Sequence, residues 1–202
     1  MSKREVKKDQ LLDAGLKVMA TRGYNGTSIQ DIVNAADVPK GSFYTYFKSK
    51  EDFAIEALEK VTEERMIQNR HLLGDRSISP QQRLTRFFVE NIGGCEENMN
   101  GGCFIGNMCQ EMSESSEAIR LKVRQMLRNS TQAIEDVLEE ARLNQELNSH
   151  LQQNSKIPSS ILAEFLFNAW EGTVMRMKAA KSREPLNAFL TVLPELFEPS
   201  KD

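Results

Sequence analysis

Thr27-Ser-Ile-Gln-Asp-Ile-Val-Asn-Ala-Ala-Asp-Val-Pro-Lys-Gly-Ser-Phe-Tyr-Thr-Tyr-Phe47 is the stretch whose reading decides the fold. Ile29, Ile32, Val33 and Ala36 recur at i, i+3, i+4 and i+7, which is one face of a short helix. Thr27, three residues before Gln30, predicts a capping box that opens this helix. Asp37-Val-Pro39 then breaks the chain, and Pro39 suits the first turn of another short helix. Two short helices across a tight turn make a helix-turn-helix, whose second helix can enter the DNA major groove. The side chains fit that task. Lys40 and Ser42 stand at the start of the second helix, where they would reach base edges or phosphates. Tyr44, Tyr46 and Lys50 are donors suited to phosphate oxygens, and the helix start at Thr27 offers backbone N–H groups and a hydroxyl.

Charge outside this stretch first argues the other way. The 202 residues carry 26 Lys+Arg against 29 Asp+Glu, a formal net charge of −3, which speaks against nucleic acid. The total hides a split. Residues 1–50 hold nine basic and five acidic side chains, a net of +4, and the remaining 152 hold 17 and 24, a net of −7. The positive end surrounds the helix-turn-helix, and two such ends in a dimer would double the positive charge offered to phosphates.

The rest of the chain keeps the helical period and shows no sustained strand-like alternation. A first helix carries Leu12, Leu16 and Met19 and stops near Arg22-Gly23, since Gly is a common C-terminal cap. Ser49 with Asp52 caps a fourth helix bearing Ala54, Ala57, Leu58 and Val61, and Pro80 opens a fifth with Leu84, Phe87, Phe88 and Cys95. A glycine-rich break leads to a sixth from about Cys103. The seventh is long, with Ile119, Val123, Met126, Leu127, Ile134, Val137, Leu138 and Ala141 on one face. Polar residues 144–156 are expected to be mobile. An eighth helix from Pro158 is apolar around much of its girth, and a ninth is kinked at Pro194. The expected fold is all-α with about nine helices: a DNA-binding domain over residues 1–50, and a ligand-sensing and dimerisation bundle over 51–202. Dimerisation is assigned to helices eight and nine, through Phe165, Ala169, Phe189 and Leu193, because helix eight needs cover beyond its own core.

Val38-Pro-Lys-Gly-Ser-Phe-Tyr-Thr-Tyr-Phe-Lys-Ser-Lys-Glu51, with Arg22-Gly-Tyr and Thr27-Ser-Ile-Gln-Asp-Ile32 before it, closely resembles the recognition-helix signature of the TetR family of bacterial regulators. The resemblance implies a homodimer bound to a double-stranded DNA operator with two-fold symmetry, and a body that senses an effector. By position, Thr27 and Ser28 match phosphate-contacting residues, Lys40, Gly41 and Ser42 base-reading ones, and Tyr44, Tyr46 and Lys50 phosphate clamps. Phe43 and Phe47 are read as core. Further along, Gly101-Gly-Cys-Phe-Ile-Gly-Asn-Met-Cys109 resembles a branch whose sixth helix opens with Gly-Cys and whose members sense electrophiles and oxidants through that cysteine. In the same branch Lys178 falls where a lysine partner of the cysteine lies. Phe104 after the cysteine departs from the pattern.

The position of Cys103 has its own logic. A thiol at a helix start meets the positive end of the helix dipole, which favours the reactive thiolate. The competing reading is a small buried apolar residue, to which Cys95 and Cys109 are assigned because both continue apolar stripes. A thiol-dependent enzyme using Cys103 is the alternative from another class. Cys95, Cys103, Cys109, His71 and His150 lack metal-ligand spacing, and no phosphate-binding, dinucleotide or nucleophile-elbow motif occurs, so neither metal nor cofactor is expected, nor an enzyme. No apolar run reaches the roughly 18 residues of a membrane span. The polar start Met1-Ser-Lys-Arg-Glu-Val-Lys-Lys8 and three cysteines fit a reducing cytoplasm.

Overall fold

A computed structural model of the chain describes residues 3–92, 103–152 and 155–198. Cys95 and the break at 93–102 lie outside the described residues. Among the described residues nine α-helices follow in order: α1 (Lys3–Arg22), α2 (Ile29–Ala35), α3 (Lys40–Tyr46), α4 (Lys50–Gly74), α5 (Pro80–Glu90), α6 (Phe104–Met112), α7 (Glu117–Leu143), α8 (Ser159–Ala180) and α9 (Glu184–Val192). Single 3-10 turns occupy Ser149–Leu151 and Leu193–Leu196. The chain forms two compact units. One holds the described residues up to Glu64 together with Cys103–Met126, and the other holds those from Arg65 to Ile92 and from Leu127 onwards.

The first unit is built on a phenylalanine cluster. Phe43, Phe47 and Phe53 are buried, with ring centroids 5.0 to 5.9 Å apart. Such aromatic contacts add roughly 0.5–1.5 kcal/mol each beyond the area they bury. The helix-turn-helix is therefore clamped from beneath by its own aromatic residues and by α4. Helix α1 crosses the same cluster at Gly15, where an added Cβ would lie 2.5 Å from the Phe53 ring and 2.6 Å from Ile32. Only a residue without a side chain allows that approach. Leu11, Leu12 and Met19 flank it in the core, while Leu16 is half-buried. Helix α1 ends as its sequence predicts, with Gly23 at φ +77°.

The second unit has an aromatic core of Phe87 and Phe88 from α5, Trp170 from α8 and Phe189 from α9. The Trp170 indole N–H donates to the Phe88 carbonyl at 3.0 Å, so its polar atom is satisfied inside the core. Two expectations change here. Residues 146–148 of the segment after α7 are paired with residues 196–198: Leu147 pairs with Phe197, Asn148 N–H donates to Leu196 O at 2.8 Å, and Glu198 N–H to Glu146 O at 2.8 Å, while 153 and 154 lie outside the described residues. Leu147 anchors this pairing because it is fully buried. The ninth helix is not kinked at Pro194 but ends at Val192, and Pro194 sits in the first turn of a 3-10 segment. Proline has no N–H to continue an α-helical ladder.

Candidate nucleic-acid interface

The start of α2 is capped one residue later than the spacing predicts. Ser28 is the N-cap: its hydroxyl accepts from Asp31 N–H at 3.1 Å, and Asp31 Oδ2 accepts from Ser28 N–H at 2.8 Å. Arg22 adds an ion pair to Asp31 at 3.0 Å. Hydrogen bonds from the Ser28 hydroxyl and N–H, and then Arg22, hold the Asp31 carboxyl below the usual range. An intrinsic carboxylate thus already occupies this helix end. Thr27 is 1 % exposed, and its hydroxyl donates to Gly23 O at 2.7 Å. The Thr27 hydroxyl, read in sequence as a phosphate contact, closes the turn after α1 in this geometry. Ser28 remains exposed at the helix start.

The turn between α2 and α3 is set by Asp37, whose φ of +53° reverses the chain, and by Val38 N–H donating to Val33 O at 3.0 Å. Pro39 caps α3 without a side-chain hydrogen bond. Lys40 and Gly41 are exposed at the start of α3, and Ser42 is half-buried. An added Cβ at Gly41 would meet nothing within 4 Å, so packing does not demand glycine there and the backbone is open to a close approach. Tyr44 is exposed and Tyr46 half-buried, on either side of the buried Phe43. Lys40, Gly41, Ser42, Tyr44 and Tyr46 thus share one short helix whose inner face is Phe43.

Lys50 differs from expectation. Its ammonium donates to Tyr24 O at 3.0 Å and Thr27 O at 2.9 Å and lies 4.1 Å from the Tyr24 ring centroid. Burial lowers its proton affinity, opposed by the charge of Glu111. Two of its three donors hold the α1–α2 loop, so the free phosphate clamp of the sequence reading becomes a loop brace. The Tyr24 carbonyl also accepts Thr27 N–H at 3.2 Å, so Lys50 adds a charged donor to a turn that is already hydrogen-bonded.

Cys103 is the N-cap of α6, with Sγ accepting from Gly106 N–H at 3.4 Å, and is 8 % exposed. It belongs to the first unit. Lys178, exposed in the last turn of α8, belongs to the second. Cys109 is half-buried and accepts from the Ser113 hydroxyl at 3.5 Å. Among the described residues no group of three or more His, Cys, Asp or Glu could hold a metal ion, and no helix is long and apolar enough to cross a membrane. Sequence reasoning missed Asp31, Arg22 and Glu111. The first two are locally readable as a Ser-x-x-Asp box with a nearby cation, whereas Glu111 reaches the head from 86 positions after its partner Asn25.

On the arm of the dimer assignment, Phe165 is 63 % exposed and Ala169 is half-buried. Phe189 and Leu193 are not surface residues: Phe189 is 9 % exposed and packs edge-on to Phe88 at 4.9 Å, and Leu193 is buried. They serve the unit's own core. The outward stripe on α8 is instead Ile161, Phe165, Asn168, Gly172 and Met175, spaced 4-3-4-3 as in a helix–helix seam, with Val192 exposed on α9.

Residues 11–57 match the family described as bacterial regulatory proteins, tetR family, and residues 80–193 match the tetracyclin repressor-like C-terminal domain. The chain belongs to the TetR family. The HTH-type transcriptional repressor DhaR of Mycobacterium sp. (strain GP1) is 35% identical over 96% of this chain and 94% of its own length. The transcriptional regulator AcuR of Cereibacter sphaeroides is 30% identical over 89% and 80%. Among solved structures, the reduced form of E. coli NemR superposes with a TM-score of 0.84 at 25% identity, covering 96% of this chain and 98% of that one. This TetR-family chain is thus a DNA-binding transcriptional regulator, all-α, with α2–α3 as its helix-turn-helix.

Proposed function

We propose that the chain is a homodimeric repressor, released from a two-fold symmetric operator by a small-molecule, electrophile or oxidant effector sensed in the body, with Cys103 as the reacting thiol. The observation that carries it is the position of Cys103 at the N-cap of α6, where its sulfur accepts the Gly106 N–H. DhaR and NemR are repressors by name, which supports the sign of regulation. The base-reading role falls to Lys40, Gly41 and Ser42, and phosphate contacts to Ser28, Tyr44 and Tyr46. The exposed seam of α8 supports a dimer with two recognition helices on successive major grooves.

The test is a gel shift on a duplex selected from a random pool by the wild-type protein. Maleimide adds its alkene carbon to the thiolate, and the proton goes to the neighbouring carbon. Alkylation should release wild-type protein and leave Cys103→Ser bound. A variant released as readily as wild type ends the thiol mechanism. A second reading, reversible binding of a ligand without cysteine chemistry, is favoured by a cleft of about 630 Å³ in the second unit between Met66, Asn69 and Leu73 of α4 and Ala133, Val137 and Glu140 of α7. In that case a non-reactive ligand would release both proteins alike.

A further inference from the structure

The loop Gly23–Thr27 enters the helix-turn-helix and is held from two directions. From α4 comes the Lys50 ammonium on Tyr24 O and Thr27 O. From α6 comes Glu111, whose Oε2 accepts the Asn25 N–H at 2.7 Å. The same carboxylate fills the space beside Gly23: an added Cβ would lie 2.2 Å from Oε1. Gly23 is thus favoured by its φ of +77°, and the Glu111 carboxylate lies directly against it. Lys50 and Glu111 also sense each other electrostatically across the loop. Two further ties fasten the neighbouring residues to α4: the Ser116 hydroxyl donates to Glu51 at 2.5 Å, and Lys122 donates to Glu59 at 2.7 Å. Helix α6 and the first turns of α7 consequently form part of the same compact unit as the head.

We propose that Glu111 is a positioning residue for DNA binding. It acts through the backbone of Asn25, fixing the loop that sets where α2 begins and hence the angle at which α3 is offered. The argument is geometric. Asn25 N–H lies in an exposed loop and would otherwise bond to water, which imposes no direction. A carboxylate mounted on a helix, against a glycine and across from a lysine, gives the loop a directed contact that water does not. A charge-assisted bond is also the strong kind. In an operator that two heads must read together, a small error of angle in each head is felt twice, whereas non-specific binding through phosphates tolerates it.

The experiment compares the duplex selected by the wild-type protein with a scrambled duplex of the same composition. Failure of the wild-type protein to select any duplex would count against the DNA-binding reading itself, and so is distinct from the outcomes below. Glu111→Ala should lose about tenfold in affinity for the selected duplex, within the usual range of coupling between sites, with affinity for the scrambled duplex unchanged. Glu111→Gln keeps an acceptor for Asn25 N–H and should stay within about threefold of wild type. Gly23→Ala should also weaken binding, but through its φ of +77°, and so should add to Glu111→Ala rather than overlap with it. The proposal is overturned if Glu111→Ala binds the selected duplex as wild type does, or if both duplexes weaken in parallel. It is equally overturned if Glu111→Gln is as weak as Glu111→Ala. Should Glu111→Ala fail to fold, Glu111→Met, which keeps the stem of the side chain but no acceptor for Asn25 N–H, is judged by the same outcomes.

Discussion

Arg83 and Glu140 meet end to end: one guanidinium nitrogen donates to Oε1 at 2.5 Å and another to Oε2 at 3.2 Å. The second nitrogen also donates to Leu73 O at 2.9 Å, so one side chain of α5 ties the end of α4 to α7. Arg83 is 2 % exposed, and its Nε finds no acceptor among the described residues. Among the described residues Glu140 is the carboxylate paired with it, and Arg76 is a more distant neighbour of the same carboxylate at 3.9 Å.

Removing Arg83 alone should be costly. Arg83→Met leaves Glu140 without its partner and Leu73 O without a donor, and the expected loss is about 3 kcal/mol. Urea unfolding of Arg83→Met against wild type checks this. The double variant Arg83→Met with Glu140→Leu should recover part of the loss, because no charge is then stranded.

The pair also predicts a pH dependence. Hydrogen bonds from Arg83, followed by its charge, hold the Glu140 carboxyl below the usual range. The folded state thus binds the proton less readily than the unfolded chain, where a glutamate titrates near about 4.3. Stability from this group is present above that value and drains away as pH falls through the lower folded one. Thermal unfolding should show wild type well above Glu140→Gln at pH 7, with the gap closing as pH falls below about 4. A gap independent of pH would contradict this assignment.

Lys50 separates a loop brace from a phosphate clamp. If its ammonium serves Tyr24 O and Thr27 O, Lys50→Met should weaken operator binding while leaving the slope of log affinity against log salt unchanged. Lys40→Ala, at an exposed cation, should reduce that slope by about one if the side chain lies on a phosphate. Affinity measured by fluorescence anisotropy at four salt concentrations gives both numbers.

Phe165 and Phe189 should behave oppositely on substitution by Glu. Phe165→Glu places charge on an exposed stripe, so sedimentation should show folded monomers with weak operator binding. Phe189→Glu buries a carboxylate against Phe88, so the protein should unfold rather than dissociate. A folded dimer from Phe165→Glu would remove α8 from the interface.

Local pattern accounts for much of what could be read in advance. The period of Ile29, Ile32 and Val33, the stop at Gly23, the cap at Ser49 and the start of α6 at Cys103 are short-range matters of spacing, φ and capping, and the chain carries them openly. The same holds for the family, since residues 38–51 keep their chemistry within one stretch. Spacing does not decide between Thr27 and Ser28 as the cap of α2, because both carry hydroxyls and only burial distinguishes them.

What tertiary structure decided is which face of each helix has a neighbour. An apolar residue such as Phe189 looks the same in sequence whether Phe88 or a second protomer covers it, because the hydrophobic effect has no direction. Polar reach is equally invisible: Lys50 could extend outward or fold back, and the carbonyls of Tyr24 and Thr27, 26 and 23 residues earlier, settle it. Gly15 reads as a weak spot in a helix until Phe53 and Ile32 are seen to need its missing side chain. The helices and the motif were thus determined along the chain, by forces acting over a few residues. The brace, the Glu111 contact and the Arg83–Glu140 pair arise only where distant segments meet in space.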